Sequence, residues 1–107
     1  MEAKPRTLEN YLDANGSDPF NDWLTRLKDR AGRAKIDVRL HRVQQGNFGD
    51  HRHISDGVHE LKIDFGPGYR VYYGIDGGSV ILLCGGDKST QQNDIDKAIE
   101  RWRDYCA

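Results

Sequence analysis

Three cations stand where this chain could hold a phosphate: Lys62 in one strand-like stretch, Arg70 in the next, and Lys88 just ahead of a helix. An arginine fork matches phosphate oxygens in pairs, and a lysine supplies a compact charge beside it. Arg70 lies in FGPGYRVYYGI, two residues past a glycine-proline-glycine turn. Alternation puts Tyr69, Val71, Tyr73 and Ile75 on one face of that strand and Arg70 with Tyr72 on the other. In HELKIDF, Leu61, Ile63 and Phe65 alternate with Glu60, Lys62 and Asp64. Paired as a hairpin, the two stretches bring Lys62 and Arg70 to one surface. Alternation alone equally allows an exposed sheet face whose charges serve solubility.

Lys88 belongs to LLCGGDKSTQQNDI, where a strand ends in two glycines and Lys88 precedes the capped start of a helix. Backbone N–H groups and the dipole at a helix start favour an anion. The stretch is not a Walker A loop, because Asp87 intervenes between glycine and lysine. His51, His53 and His59 lack a carboxylate or cysteine at a spacing that would complete a metal site, and His59 falls on the apolar parity of its strand. No G-x-S-x-G motif occurs, and neither cysteine lies in a C-x-x-C pair.

The elements that must position these residues follow from periodicity and caps. Thr7 to Leu12 reads as a strand, closed by the turn-rich DANGS. Asp18-Pro19 offers an N-cap followed by proline at the first helical position. Phe20, Trp23, Leu24 and Leu27 then repeat at helical spacing, predicting a helix that ends near Gly32. A second helix, Arg33 to Gln45, buries Ile36, Leu40 and Val43 and carries a parallel basic stripe of Lys35, Arg39 and Arg42. Asp76-Gly77-Gly78 makes a hairpin turn, and SVILLC is apolar on both parities, as a strand covered on both faces would be. Ser89 and Gln92 match a capping box for a last helix that buries Ile95, Ala98, Ile99 and Trp102. The resulting fold class is α+β: a small twisted antiparallel sheet, an N-terminal helical hairpin and a C-terminal helix in a single domain spanning residues 1–107.

Composition narrows the classes further. No apolar run approaches the roughly 20 residues that span a bilayer, and MEAKPRTLEN lacks a signal peptide's apolar stretch, so a cytoplasmic protein is expected. The formal net charge is −1, but it is unevenly placed: Arg26 to His53 holds eight basic residues against three acids, +5 against −6 for the rest. Such a basic block can steer a polyanion although the whole molecule is nearly neutral.

Five segments in order then carry a resemblance: F-x-x-W-L-x-x-L-K-D from Phe20, GNFGD, G-V-x-E-L-K-I from Gly57, FGPGYRVYY, and GGDKSTQxxDI from Gly85. Together they resemble the addiction-module killer proteins of the RelE/ParE superfamily of type II toxins, in the branch related to HigB. The resemblance implies a toxin held inactive by an antitoxin, and an endoribonuclease that cuts messenger RNA on the ribosome with no metal or cofactor. In that chemistry the ribose 2′-hydroxyl attacks the neighbouring phosphorus and the 5′-oxygen leaves. By the same resemblance Arg70 stabilises the transition state, Lys88 and Lys62 are the further basic site positions, and Tyr72 or Tyr105 stands in for an assisting tyrosine. Lys35, Arg39 and Arg42 would meet RNA backbone or an acidic antitoxin. ParE relatives share the fold but inhibit DNA gyrase, and an inactive antitoxin-binding relative is a third reading.

Overall fold

A computed structural model describes residues 3–107; Met1 and Glu2, which begin the stretch read above as lacking a leader, lie outside it. The elements are β1 (Thr7–Asn10), α1 (Pro19–Arg26), α2 (Arg30–Gln44), β2 (His51–Ser55), β3 (Val58–Ile63), β4 (Tyr69–Asp76), β5 (Ser79–Asp87), a 3-10 turn at Lys88–Thr90, and α3 (Gln91–Cys106). The strands form one sheet in the order β1-β5-β4-β3-β2. The α+β class holds, with one difference in the sheet. β1 runs parallel to β5, while the other pairs are antiparallel, so the sheet is mixed. Nothing local in β1 encodes its direction, which is set by the α1 and α2 excursion that follows it.

Both sheet faces are covered. On one, Phe20, Ile36, Leu40 and Val43 from α1 and α2 pack on Leu61, Ile63, Tyr69, Val71, Tyr73, Val80 and Leu82. On the other, Ala98 and the half-buried Ile95, Ile99 and Trp102 of α3 pack on Val58, Tyr72, Ile81, Leu83 and Cys84. β5 therefore buries both parities, as its apolar run predicts. The face carrying Arg70 and Tyr72 is not open, because α3 lies across much of it.

Local chemistry explains the boundaries. Asp18 caps α1 by accepting from the Asn21 N–H at 3.0 Å, with Pro19 in the first turn. The helix stops at Arg26, six residues short of Gly32, because Leu27 turns extended (ψ 117°) and Asp29 caps α2 through the Gly32 N–H at 2.9 Å. Gly32 thus belongs to the first turn of α2, where an added Cβ would sit 2.5 Å from the Tyr69 ring. β2 is the strand that periodicity missed. His51, Arg52 and His53 are all exposed, so no apolar alternation marks it. Its turn into β3 uses Asp56 and Gly57 at φ 52° and 84°, the left-handed pair that two-residue hairpins favour. Among the described residues, no helix is long and apolar enough to cross a membrane.

Candidate functional site

Cross-strand register sets Lys62 opposite Arg70, and Arg70 opposite Gly86. Lys88 follows two residues beyond Gly86, where β5 turns out of the sheet. Lys62, Arg70 and Lys88 line one cleft of about 300 Å³ together with Asp64, Gly66, Pro67 and Gly68. Gly66 and Gly68 take left-handed φ values of 54° and 83°, which lets the turn fold back over the strand ends. Gly68 is wedged between the cations: a Cβ there would lie 3.2 Å from Arg70 Nη1 and 3.6 Å from Lys88 Cβ.

Arg70 is only 5% exposed. Its Nη1 donates to the carbonyl of Gly68 at 3.0 Å, and more weakly to that of Tyr69 at 3.4 Å. Its Nε is buried without a hydrogen-bond partner, 3.8 Å from Glu60 Oε1. Glu60 in turn is 1% exposed, accepting from Arg52 Nε at 2.9 Å and from Gln91 Nε2 at 3.0 Å. Burial alone would push the Glu60 carboxyl up, but the hydrogen bonds from Arg52 and Gln91 outweigh it and hold the group below its ordinary range. Charged groups this deep persist only when paired.

Tyr72 is not brought to the cleft. It sits opposite Glu60 in the register and is fully buried, its hydroxyl lacking a hydrogen-bond partner of good geometry. Burial, reinforced by the Glu60 charge, pushes that hydroxyl far above its usual range. Tyr105 lies elsewhere, donating to Asp76 Oδ2 at 2.7 Å.

The helix start also differs from the expected capping box. Asp87 caps the 3-10 turn Lys88–Thr90 rather than α3: its carboxylate accepts from the Ser89 N–H at 2.8 Å and closes a box with Thr90, and α3 follows from Thr90 with no side-chain cap bond. The contribution of this corner to the cleft is the Lys88 side chain. Thr90 donates to Asp94 Oδ2 at 2.5 Å, and Asp94 lies so close to Gly86 that a Cβ there would overlap it. Burial, partly offset by the Thr90 hydrogen bond, raises the Asp94 carboxyl.

The basic stripe of α2 lines a separate depression of about 230 Å³ with Val38, Ile63, Asp64 and Phe65. Asp64 is common to both hollows. Within it, Lys35 rests over the Phe65 ring at 5.6 Å. Arg39 is committed to the fold: its guanidinium donates to the carbonyls of Lys62, Phe48 and Asp50 at 2.6, 2.8 and 3.0 Å. His59 stacks on Tyr73 and meets His53 edge-to-face, and burial lowers the His59 pKa. Among the described residues no group of three His, Cys, Asp or Glu side chains could hold a metal ion.

Sequence reasoning passed over Glu60, Asp64, Arg52, Gln91 and Asp94. Glu60 and Asp64 were legible as companions of Lys62 on one parity, whereas Gln91 and Asp94 reach the site only through the placement of α3.

Residues 22–103 match the family described as Phage derived protein Gp49-like (DUF891). The chain belongs to this family. The Gp49-like family is RelE-like and associated with toxin–antitoxin systems. In this Gp49-like chain the match runs from α1 into α3, so it contains every cleft residue and leaves β1 outside. An uncharacterized protein of Haemophilus influenzae (strain ATCC 51907 / DSM 11121 / KW20 / Rd) is 55% identical over 80 residues, 74% of this chain and 81% of that protein.

Proposed function

We propose that this Gp49-like protein is the toxin of a type II toxin–antitoxin pair, of the HigB-related kind, and a cytoplasmic endoribonuclease that cleaves messenger RNA on the ribosome. The observation that carries the reading is the convergence of Lys62, Arg70 and Lys88 on one cleft whose lining holds a single carboxylate, Asp64.

Those four side chains supply the parts that 2′-hydroxyl attack requires. Asp64 accepts the proton of the ribose 2′-hydroxyl as that oxygen forms its bond to phosphorus. Arg70 and Lys62 face the negative charge gathering on the non-bridging oxygens. Lys88 gives a proton to the 5′-oxygen as the P–O5′ bond breaks. The products are a 2′,3′-cyclic phosphate and a 5′-hydroxyl end, and no redox partner enters the balance. Electrostatic stabilisation of this kind is worth about 10²–10³ in rate per donor removed.

Lys35 and Arg42, on the neighbouring depression, meet RNA backbone at the ribosome or the acidic parts of the antitoxin, while Arg39 shapes that surface through its carbonyl contacts. Neutralising the cleft by covering it is how the antitoxin silences the site.

The test is Arg70→Ala, induced beside wild type with mapping of RNA 5′-ends. A folded variant that neither arrests growth nor yields new 5′-hydroxyl ends supports the assignment, and one that remains fully toxic sinks it. Supercoiling assays on purified DNA gyrase separate the ParE-like alternative, which predicts gyrase inhibition and intact messenger RNA.

A further inference from the structure

The geometry points to Glu60 as a positioning residue for Arg70: its carboxylate, anchored by Arg52 and Gln91, holds the Nε edge of the guanidinium so that the Nη edge serves the cleft. This inference rests on the nuclease reading for its kinetic consequence, but not for its structural content.

Arg70 is buried on an inner strand, and a guanidinium there needs its five donors directed. Nη1 is fixed by the Gly68 carbonyl at 3.0 Å, which leaves Nη2 as the part of the Nη edge that can serve the cleft. The other edge ends in Nε, buried without a hydrogen bond, and Glu60 Oε1 at 3.8 Å is the carboxylate oxygen that forms an ion pair with it. The carboxylate cannot swing away. Oε2 is tied to Gln91 at the head of α3, and Oε1 to Arg52 on the edge strand β2. Glu60 thus joins β2, β3 and α3 at the point where the catalytic cation enters the sheet.

A carboxylate kept only for the fold would be satisfied by Arg52 and Gln91. What marks a second role is that Arg52 and Arg70 converge on the same oxygen, with Arg52 59% exposed along its side chain and Arg70 7%. When a phosphate oxygen draws on the Nη edge, the negative charge behind Nε keeps the guanidinium from tilting out of line. Removing that charge loosens the aim of the cation without removing the cation, so turnover suffers rather than binding.

The experiment compares Glu60→Gln with wild type by two readouts. One is the ¹⁵N spectrum of the Arg70 Nε–H, which in wild type should exchange with solvent far more slowly than that of exposed Arg30; in the variant the difference should shrink. The other is RNA cleavage: kcat falls about 10- to 100-fold, the order that misplacement by an ångström costs, while KM stays within about threefold, as expected when only transition-state stabilisation is lost. A folded variant with unchanged Arg70 Nε–H exchange and unchanged kcat overturns the inference. Should Glu60→Gln not fold, the wild-type spectrum decides alone, and an Arg70 Nε–H exchanging as fast as that of Arg30 overturns it. If Arg70→Ala proves fully active, the nuclease reading falls, yet the spectroscopic arm still reports whether Glu60 holds the guanidinium.

Discussion

Gly68→Ala tests the cleft geometry without touching a charged group. Gly68 has φ 83°, and a methyl there meets Arg70 Nη1 at 3.2 Å and Lys88 Cβ at 3.6 Å. The left-handed backbone costs an alanine about 1–2 kcal/mol. For a chain near 100 residues that lowers Tm by roughly 4–16 °C, against a total stability of about 5–15 kcal/mol, so the protein stays folded at moderate temperature. The steric part is separate. The guanidinium must yield by a few tenths of an ångström, and since an ångström of misplacement costs about 100-fold, roughly 3- to 10-fold in kcat is expected. Gly77→Ala provides the control: Gly77 has φ 59° but nothing lies within 4 Å of an added Cβ. Both variants should lose comparable Tm by circular dichroism, but only Gly68→Ala should lose RNA cleavage measured well below its Tm. Equal rates in the two variants would refute the placement of Arg70 and Lys88 around this turn.

Two further outcomes follow from packing and titration. Gly85→Ala places a Cβ into the Trp23 ring, 2.7 Å from Cδ2 where about 3.5–4.0 Å is comfortable, and the ring is backed by Phe20 and Tyr69 at centroid distances of 5.9 and 6.2 Å. Overpacking and the disturbed aromatic contacts should cost roughly 2–4 kcal/mol in urea unfolding, whereas Gly78→Ala, with nothing within 4 Å, should cost little; near-equal midpoints would disprove the wedge. Stability should also fall in acid. Burial, with smaller contributions from His53 and His51, lowers the His59 pKa, so the stability it supports is lost as pH drops below about 6.5. Glu60 and Asp29 are depressed carboxylates whose contribution is complete above about 4.3 and 3.9 and vanishes as pH falls through their folded values; Asp94, raised by burial, works in the opposite sense. Glu60→Gln should therefore flatten the unfolding profile below about pH 4.3, and an unchanged slope there would contradict the pairing.

The parts of the fold that one element encodes by itself were legible. Asp18-Pro19 starts α1, and the stripe of Ile36, Leu40 and Val43 buries α2. The double parity of SVILLC identified a strand covered on both sides. What failed depended on partners distant in sequence. β2 has no apolar face because it is an edge strand with three exposed residues at its start, and the Asp56-Gly57 turn that joins it to β3 went unread. Gly85 and Gly74 each admit a tryptophan ring against the strand backbone, Trp23 from α1 and Trp102 from α3, which no local pattern in β4 or β5 signals. The same limit applied at the site. Alternation placed Lys62 and Arg70 on a common face, but whether that face met water or a helix was decided by α3, sixteen residues whose docking no local pattern in β4 records.

The covering of that face changes what the net charge of the chain signifies. A formal charge of −1 sums over the whole surface, whereas affinity for a polyanion depends on where the charges lie. Many are engaged internally: Asp18, Asp29 and Asp87 cap helices, Asp104 accepts from Tyr11 and Asp76 from Tyr105, and Glu60 faces two arginines. Each of these carboxylates has its lone pairs turned toward a protein donor. Lys62, Arg70 and Lys88, by contrast, share a lining with one acid. Lys62 and Lys88 are exposed and Arg70 is buried beside them, so the lining carries three cations against one acid although the sum over the whole molecule is slightly negative. Arg70 is buried and already held by the Gly68 carbonyl and the Glu60 carboxylate; under the nuclease proposal such a cation, fixed before substrate arrives, lowers a barrier rather than merely tightening binding.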